Sequence, residues 1–229
     1  FLARDGHMVV LLERDATPLP ADAEQAFTWN RRGAPQVRHP HAFLARLRNI
    51  LRDDLPEVRD ALLEAGSLEV SWSDIAPETL DDRTPLPEDA DLTLIACRRT
   101  TFEWVLRRAA LDTERVELRD GVKVERLLAA PATSPPRVTG VRIGDGDIDA
   151  DLVVDAGGRH SQMPALLAAI GVDLPETKHD AGMVYLSRFY RLRDGATEPD
   201  AQAFNGGTLG YLGYGIFRGD HRTFSVTLA

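Results

Sequence analysis

Only one cysteine, Cys97, occurs in 229 residues. An internal disulfide framework is excluded, and a lone thiol suits a reducing cytoplasm. No apolar run is long enough to span a bilayer, and no signal-peptide pattern is present. Positive charge is outnumbered, 27 Lys and Arg against 36 Asp and Glu for a net charge of −9, with the acidic excess spread along the chain. That balance argues against nucleic acid as a partner and leaves no polybasic membrane anchor. No internal repeat or low-complexity segment appears. The ends lack the usual boundaries as well. Phe1 begins inside an amphipathic pattern, and Phe224 to Leu228 reads as a strand that stops, so a piece of a longer protein is expected.

What is present is compatible with a packed core, at 43% hydrophobic residues and a length for one large or two small domains. Phe1 to Asp5 reads as the last turn of a helix, with Gly6 as its stop. Met8 to Leu12 is a continuous apolar run, as in a parallel strand buried on both faces, and it ends on Glu13. Helix end, buried strand and terminal acid form the second half of a βαβ dinucleotide unit, where the acid accepts from a ribose hydroxyl. An ordinary solvated strand end explains Glu13 equally well.

Asp15 to His41 is polar and rich in proline, too long for a bland connector. It carries Arg38, whose guanidinium offers fixed donors to a phosphate or a flavin edge. His39 and His41 have no carboxylate or cysteine cluster to complete a metal site, so no metal is expected. Helical spacing marks 42–55. A second helix starts at Pro56 and stops at Gly66. Strands are expected at 68–72 and 92–96. After the second, Thr100 and Glu103 form a capping-box pattern that places Arg99 just before a helix N-terminus.

Further on, 122–128, 138–143 and 148–154 read as a three-stranded antiparallel insert, the last two joined by a Gly144–Asp147 hairpin. The insert runs into DLVVDAGGRHS, Asp151 to Ser161, where a strand turns on Gly157 and Gly158 into a helix ended by Gly171. Such a turn lets backbone approach a ligand closely. From Met183 the pattern becomes that of an antiparallel sheet, with a turn at Asn205–Gly207 and another at Gly219–Asp220.

LARDGHMVVLLERD, then CRRTTFEWVLRRAAL, then the meander, then ADLVVDAGGRHS follow one another in an order that resembles the FAD-dependent monooxygenases of the para-hydroxybenzoate hydroxylase type, with related epoxidases, halogenases and prenyl reductases. The resemblance implies an α/β chain: a doubly wound, Rossmann-like FAD-binding sheet with the meander (1–66 and 92–173), plus part of a mixed or antiparallel substrate-domain sheet (67–91 and 174–229). It implies FAD as cofactor, NAD(P)H as reductant, a small-molecule organic substrate, and oxygen delivered through a flavin peroxide. It also assigns cofactor-binding roles to Glu13, Arg14, Arg38, Arg99, Val124, Asp155, Gly157 and Gly158. Tyr185, Arg188, Tyr211 and Tyr214 are candidate substrate-cavity residues, with ordinary sheet-face residues the favoured reading, since aromatics favour strands.

The chain departs from the family pattern. Arg98 stands at the Ser position of the S-R-x-x-L-E motif, and Gly157–Gly158 replaces an Asp-Gly pair. GxGxxG and the later Gly-Asp motif are missing, so poor FAD binding is expected of this segment alone. Three other readings compete. One is a reductase or dehydrogenase of the same fold, acting without oxygen. A second is a catalytically dead binding module. The third is a serine hydrolase using Ser161, opposed by Arg159 and Met163 where the nucleophile elbow needs glycines. No residue stands out as a catalytic base.

Overall fold

The computed structural model describes residues 1–76, 80–130, 135–197 and 204–229. In chain order the strands and helices are β1 (Val9–Glu13), α1 (Ala45–Asp54), α2 (Pro56–Glu64), β2 (Leu68–Ser71), α3 (Trp72–Ile75), β3 (Thr93–Ala96), α4 (Arg99–Leu111), β4 (Val116–Asp120), β5 (Arg126–Ala129), β6 (Val138–Ile143), β7 (Gly146–Asp149), α5 (Met163–Ala168), β8 (Leu186–Arg191), β9 (Phe204–Thr208), β10 (Gly213–Arg218) and β11 (Thr223–Leu228). The result is a mixed α/β fold with several small sheets. Two compact units form, one from 1–16 with 114–181 and one from 17–113 with 182–229. These borders follow packing. The ligand-based division expected from sequence places 17–66 and 92–113 with the cofactor.

In the first unit β1 pairs in parallel with β4, Val9 opposite Val116 and Glu13 opposite Asp120. The opening turn closes as expected: Gly6, at φ +93°, follows hydrogen bonds from Asp5 N to Phe1 O and from His7 N to Leu2 O. The expectation that β1 is buried on both faces needs correction. Val10 and Leu11 are exposed, because β4 is its one partner strand among the described residues.

The meander forms as β5-β6-β7, all antiparallel. Leu127, Val141 and Ile143 are its buried centre, with Leu12, Val124, Val153 and Leu166 packed against them. Two boundaries move. The third strand ends at Asp149, and Leu152–Val154 is extended chain outside the named strands, with Leu152 and Val154 exposed and Val153 turned to the core.

In the second unit α1 and α2 lay Leu51, Val58 and Leu62 onto a core with Phe43, Ile95, Cys97, Phe102, Trp104 and Val105. Burying such apolar surface is the main favourable term in folding. Pro56 opens α2, and Gly66 (φ +87°) ends it with Gly66 N donating to Leu63 O and Ser67 N to Leu62 O. β2 and β3 pair antiparallel, Leu68 opposite Ala96. The expected antiparallel sheet forms in the order β8-β11-β10-β9. Asn205–Gly207 is strand β9, not the expected turn. Gly207 lies opposite Tyr214, and a Cβ on it would meet that ring at 3.1 Å, so the small residue makes room for a tyrosine on a flat strand.

Candidate functional site

The site of interest lies within the second unit and is assembled from three segments. The first is the proline-containing loop, held by local anchors: Trp104 Nε1 donates to Pro20 O at 2.8 Å, and Arg31 pairs with Glu103 at 3.2 Å. Two short 3₁₀ turns, Gln25–Thr28 and Pro35–Arg38, shape it, and Ala26, Trp29 and Val37 are buried from it. The second segment is the junction of β3 and α4. The third is β8, joined to the loop by a hydrogen bond of 3.0 Å between His39 Nδ1 and Ser187 Oγ, which continues to Thr227 Oγ1 at 2.8 Å. Phe27 meets Phe189 edge to face, with ring centroids 6.4 Å apart.

These segments line a cavity of about 470 Å³ that is open to solvent on one side. Phe27, Thr28, Trp29, Val37 and Arg38 line it from the loop, Arg98 and Thr100 from the α4 junction, and Ser187, Arg188 and Phe189 from β8. Its polar lining is all donors or hydroxyls: three arginines, two threonines, a serine and the tryptophan, and no carboxylate.

Arg98 is the buried member, and a hydrogen-bonded carboxylate holds it there. Asp220, on the β10–β11 turn, accepts from Arg98 Nε at 2.8 Å and Nη2 at 2.7 Å. It also accepts from the Arg98 backbone N–H at 2.9 Å and the Thr101 hydroxyl at 2.5 Å, while Arg98 Nη2 reaches Ala23 O at 3.0 Å. The side chains are 1% and 0% exposed. Burial pushes the Asp220 carboxyl up, but the hydrogen bonds and charge of Arg98, with Thr101, more than reverse this, and it ends below its ordinary value. The expected Thr100–Glu103 capping box does not form; Asp220 instead binds the backbone N–H of Arg98, the N-cap residue of α4, and the Thr101 hydroxyl. Thr100 lies inside the first turn, and Arg98 at the N-cap makes no side-chain cap. Two buried nitrogens of the lining, Arg98 Nη1 and Trp29 Nε1, have no hydrogen-bond partner.

The sequence-nominated residues fall in both units. Glu13 ends β1, its Oε1 accepting from Asp15 N at 2.9 Å, and Arg14 follows it exposed. Val124 precedes β5 and packs inward on the meander core. Asp155 closes the glycine turn: Oδ1 accepts from Gly157 N at 2.9 Å and Oδ2 from the Ser161 hydroxyl at 2.6 Å. Ser161 Oγ also accepts from Met163 N at 2.9 Å, so this serine caps α5. Gly158, at φ +66°, has nothing within 4 Å of where a Cβ would stand, while its carbonyl accepts from Ser161 N at 3.0 Å. In the second unit Arg38 lines the cavity, while Arg99 is clamped by Glu103 at 3.0 Å.

Of the four substrate candidates, Arg188 lines the cavity. Tyr211 is 90% exposed and Tyr185 lies outside the lining; Tyr214 covers Gly207. Phe27, Trp29, Arg98, Ser187 and Phe189 were not singled out from sequence. The one signal was Arg98 standing where the family pattern has a serine. His41 Nδ1 donates to His39 O, 2.9 Å away, and burial lowers its pKa.

No protein-family model matches this sequence. Protein Rv3254 of Mycobacterium tuberculosis is 30% identical over 207 residues, which cover 82% of this chain and 40% of that protein. The chain thus spans well under half the length of the curated relative it matches. Among solved structures, PqsL of Pseudomonas aeruginosa, a probable FAD-dependent monooxygenase, aligns over 99% of this chain and 55% of its own, with TM-score 0.60 and 16% identity. PqsL in complex with 2-aminobenzoylacetate aligns over the same shares, with TM-score 0.63 and 14% identity. The chain has the fold of these flavoprotein monooxygenases.

Proposed function

We propose that this protein is an FAD-dependent oxidoreductase, a monooxygenase that hydroxylates or epoxidises a small organic substrate with NAD(P)H as reductant. The observation that carries the reading is the arginine- and aromatic-lined cleft of a chain whose fold matches PqsL over 99% of its length. In this reading 1–66 and 92–173 serve the cofactor, and 67–91 and 174–229 serve the substrate. The cavity lining draws on both sets, with Phe27 to Arg38, Arg98 and Thr100 from the first and Ser187 to Phe189 from the second.

The residues present fit the cofactor. Open space beside Gly158 permits the close approach a bulky cofactor needs, and Asp155 fixes the turn through Gly157 N and Ser161. Glu13, Arg14, Val124, Asp155, Gly157 and Gly158 are the holding residues proposed for the first unit, Arg38 and Arg99 those for the second. When bound, FAD supplies the redox chemistry that activates oxygen. The chain's own work is to bind, orient and exclude water. Phe27, Trp29 and Phe189 supply flat apolar walls, and the arginines fix charge.

The test uses protein expressed from its complete coding sequence. FAD should bind with a perturbed flavin absorbance spectrum, and NAD(P)H oxidation should consume oxygen in step with product. Substrate turnover that proceeds equally without oxygen would replace the monooxygenase reading with that of a reductase. Absence of flavin binding would remove both.

A further inference from the structure

Asn205 is followed by Gly206 and lies on β9, the edge strand of the four-stranded sheet β8-β11-β10-β9. Both residues are exposed. The ladder fixes which way the Gly206 amide points. Leu209 N donates to Leu212 O across the hairpin turn at 2.8 Å, whereas Gly213 N donates to Ala229 O, on the other side of β10, at 2.9 Å. In an antiparallel pair, hydrogen-bonded and non-hydrogen-bonded residue pairs alternate. Leu209–Leu212 is bonded and Thr208–Gly213 is not, so Gly207–Tyr214 and Asn205–Ile216 are bonded and Gly206–Gly215 is not. The Gly206 N–H therefore points away from β10, to the side where β9 has no partner strand among the described residues.

An asparagine side-chain carbonyl can close a five-membered ring with the backbone nitrogen that follows it. Three features guard against this: a side chain on the next residue, a hydrogen bond from that residue's N–H, and a rigid extended backbone. Gly206 brings no side chain, and its N–H lies outside the ladder. The third guard is weak as well. Two of the five residues of β9 are glycine, which loses the most freedom on ordering, and pairings at the margin of a structure open at low free energy.

We propose that Asn205 is a self-modification site. The Gly206 nitrogen attacks Asn205 Cγ. The new N–C bond forms as the bond to the side-chain nitrogen breaks, and that nitrogen leaves as ammonia with the Gly206 proton. Water then opens the cyclic imide. Opening at the side-chain carbonyl gives aspartate. Opening at the main-chain carbonyl gives isoaspartate, whose main chain runs through Cβ and is longer by that atom. Water is the one co-reactant, and nothing is oxidised or reduced. The longer chain cannot keep both Asn205–Ile216 and Gly207–Tyr214 in register, so β9 separates from β10 while β10, β11 and β8 stay paired. The other two asparagines of the chain are controls. Asn30 is followed by Arg31 and Asn49 by Ile50, and Asn49 Nδ2 donates to Asp91 O at 3.0 Å.

The experiment is storage of the folded protein, expressed from its complete coding sequence, in mildly alkaline buffer, followed by mass-spectrometric peptide mapping and amide exchange. The Asn205 peptide should convert to aspartate and isoaspartate forms while the Asn30 and Asn49 peptides keep their amides. Exchange in the isoaspartate fraction should speed up at Tyr214 and Ile216 and stay unchanged at Arg188 and Val226 of the β8–β11 pair. Asn205→Gln, which would need a larger ring, should lose the conversion and keep its starting exchange pattern on storage. A folded protein in which Asn205 keeps its amide overturns the proposal, and loss in guanidinium alone would locate the protection in the ladder. Equal loss at all three asparagines overturns it too, as does isoaspartate formation that leaves exchange at Tyr214 and Ile216 unaltered.

Discussion

Asp220 holds Arg98, 122 residues earlier in the chain, by three separate hydrogen bonds: to its backbone N–H, to Nε and to Nη2. Both side chains are excluded from solvent. The carboxylate comes from a tight turn in which His221 and Arg222 have φ of +50° and +57°, backbone that non-glycine residues adopt at a cost. The contact therefore couples a strained hairpin to the first turn of α4 and to the wall of the cavity.

Replacing Asp220 by Asn should destabilise the protein by about 3–5 kcal/mol at neutral pH, because it leaves the Arg98 charge buried and uncompensated. The pH dependence follows from the direction of the shift. The Asp220 carboxyl is depressed in the folded state, so its contribution is complete above the ordinary carboxylate range and is lost as pH falls through the depressed value. Denaturant melts of wild type and Asp220→Asn should thus converge toward acid. A constant gap down to the lowest accessible pH would contradict the assignment.

The elements of this region were legible in the sequence, but the pair was not. Pro56 and Gly66 bracketed α2, the 138–143 alternation and its Gly-Asp-Gly turn gave the meander hairpin, and the change at Met183 marked the antiparallel sheet. All of these are local signals of period or turn chemistry. Arg98 and Asp220 meet only through tertiary packing, and no spacing rule links residues so far apart. The same limit explains Thr100 and Glu103. The pattern of a capping box was present, yet a distant carboxylate captured the N-cap and Glu103 went to Arg99 and Arg31. Trp29 and Phe27 lacked any periodicity because they lie in an irregular loop. Glycine misled at Gly206–Gly207, where room for the Tyr214 ring, not a turn, was the requirement.

Glu69 on β2 ties two helices together, accepting from Arg59 at 2.7 Å and from Arg48 at 2.8 Å. The hydrogen bonds of Arg59 first, and those of Arg48 against opposing burial, bring its carboxyl down to about 2. Its stabilisation is present above the ordinary glutamate value of 4.5 and is lost as pH falls from there toward about 2. Glu69→Gln should lower the melting temperature by a few degrees at pH 7, on the order expected of a small ion-pair network, and by nothing near pH 2. A deficit that grows on acidification would be the wrong sign.

Cys97 is a core residue at the end of β3, and burial pushes its thiol up to about 12. The thiolate is the reactive form, so the folded protein should resist a disulfide reagent at pH 8 and react with it at one equivalent only in denaturant. Rapid labelling of native protein would show that the core opens around Cys97 far more readily than its packing with Phe102 and Ile95 implies.

Gly140 is the residue on which the meander depends. At the centre of β6 it pairs with Leu128 on one side and Asp149 on the other, at φ +157°. A Cβ there would run into the backbone carbonyl of Ile148 and stand 3.0 Å from Asp149 Cα. Backbone cannot swing aside as a flexible side chain can, so the strand pair must separate or re-register. Gly140→Ala should cost about 2–4 kcal/mol, in the range of overpacking and strain at a special backbone position. Loss should concentrate in the first unit, read as faster amide exchange at Leu127, Val141 and Ile143 while Leu51, Leu62 and Val105 keep their protection. Gly144→Ala, at the hairpin turn with nothing within 4 Å of the new methyl, is the control and should leave exchange in both units unchanged.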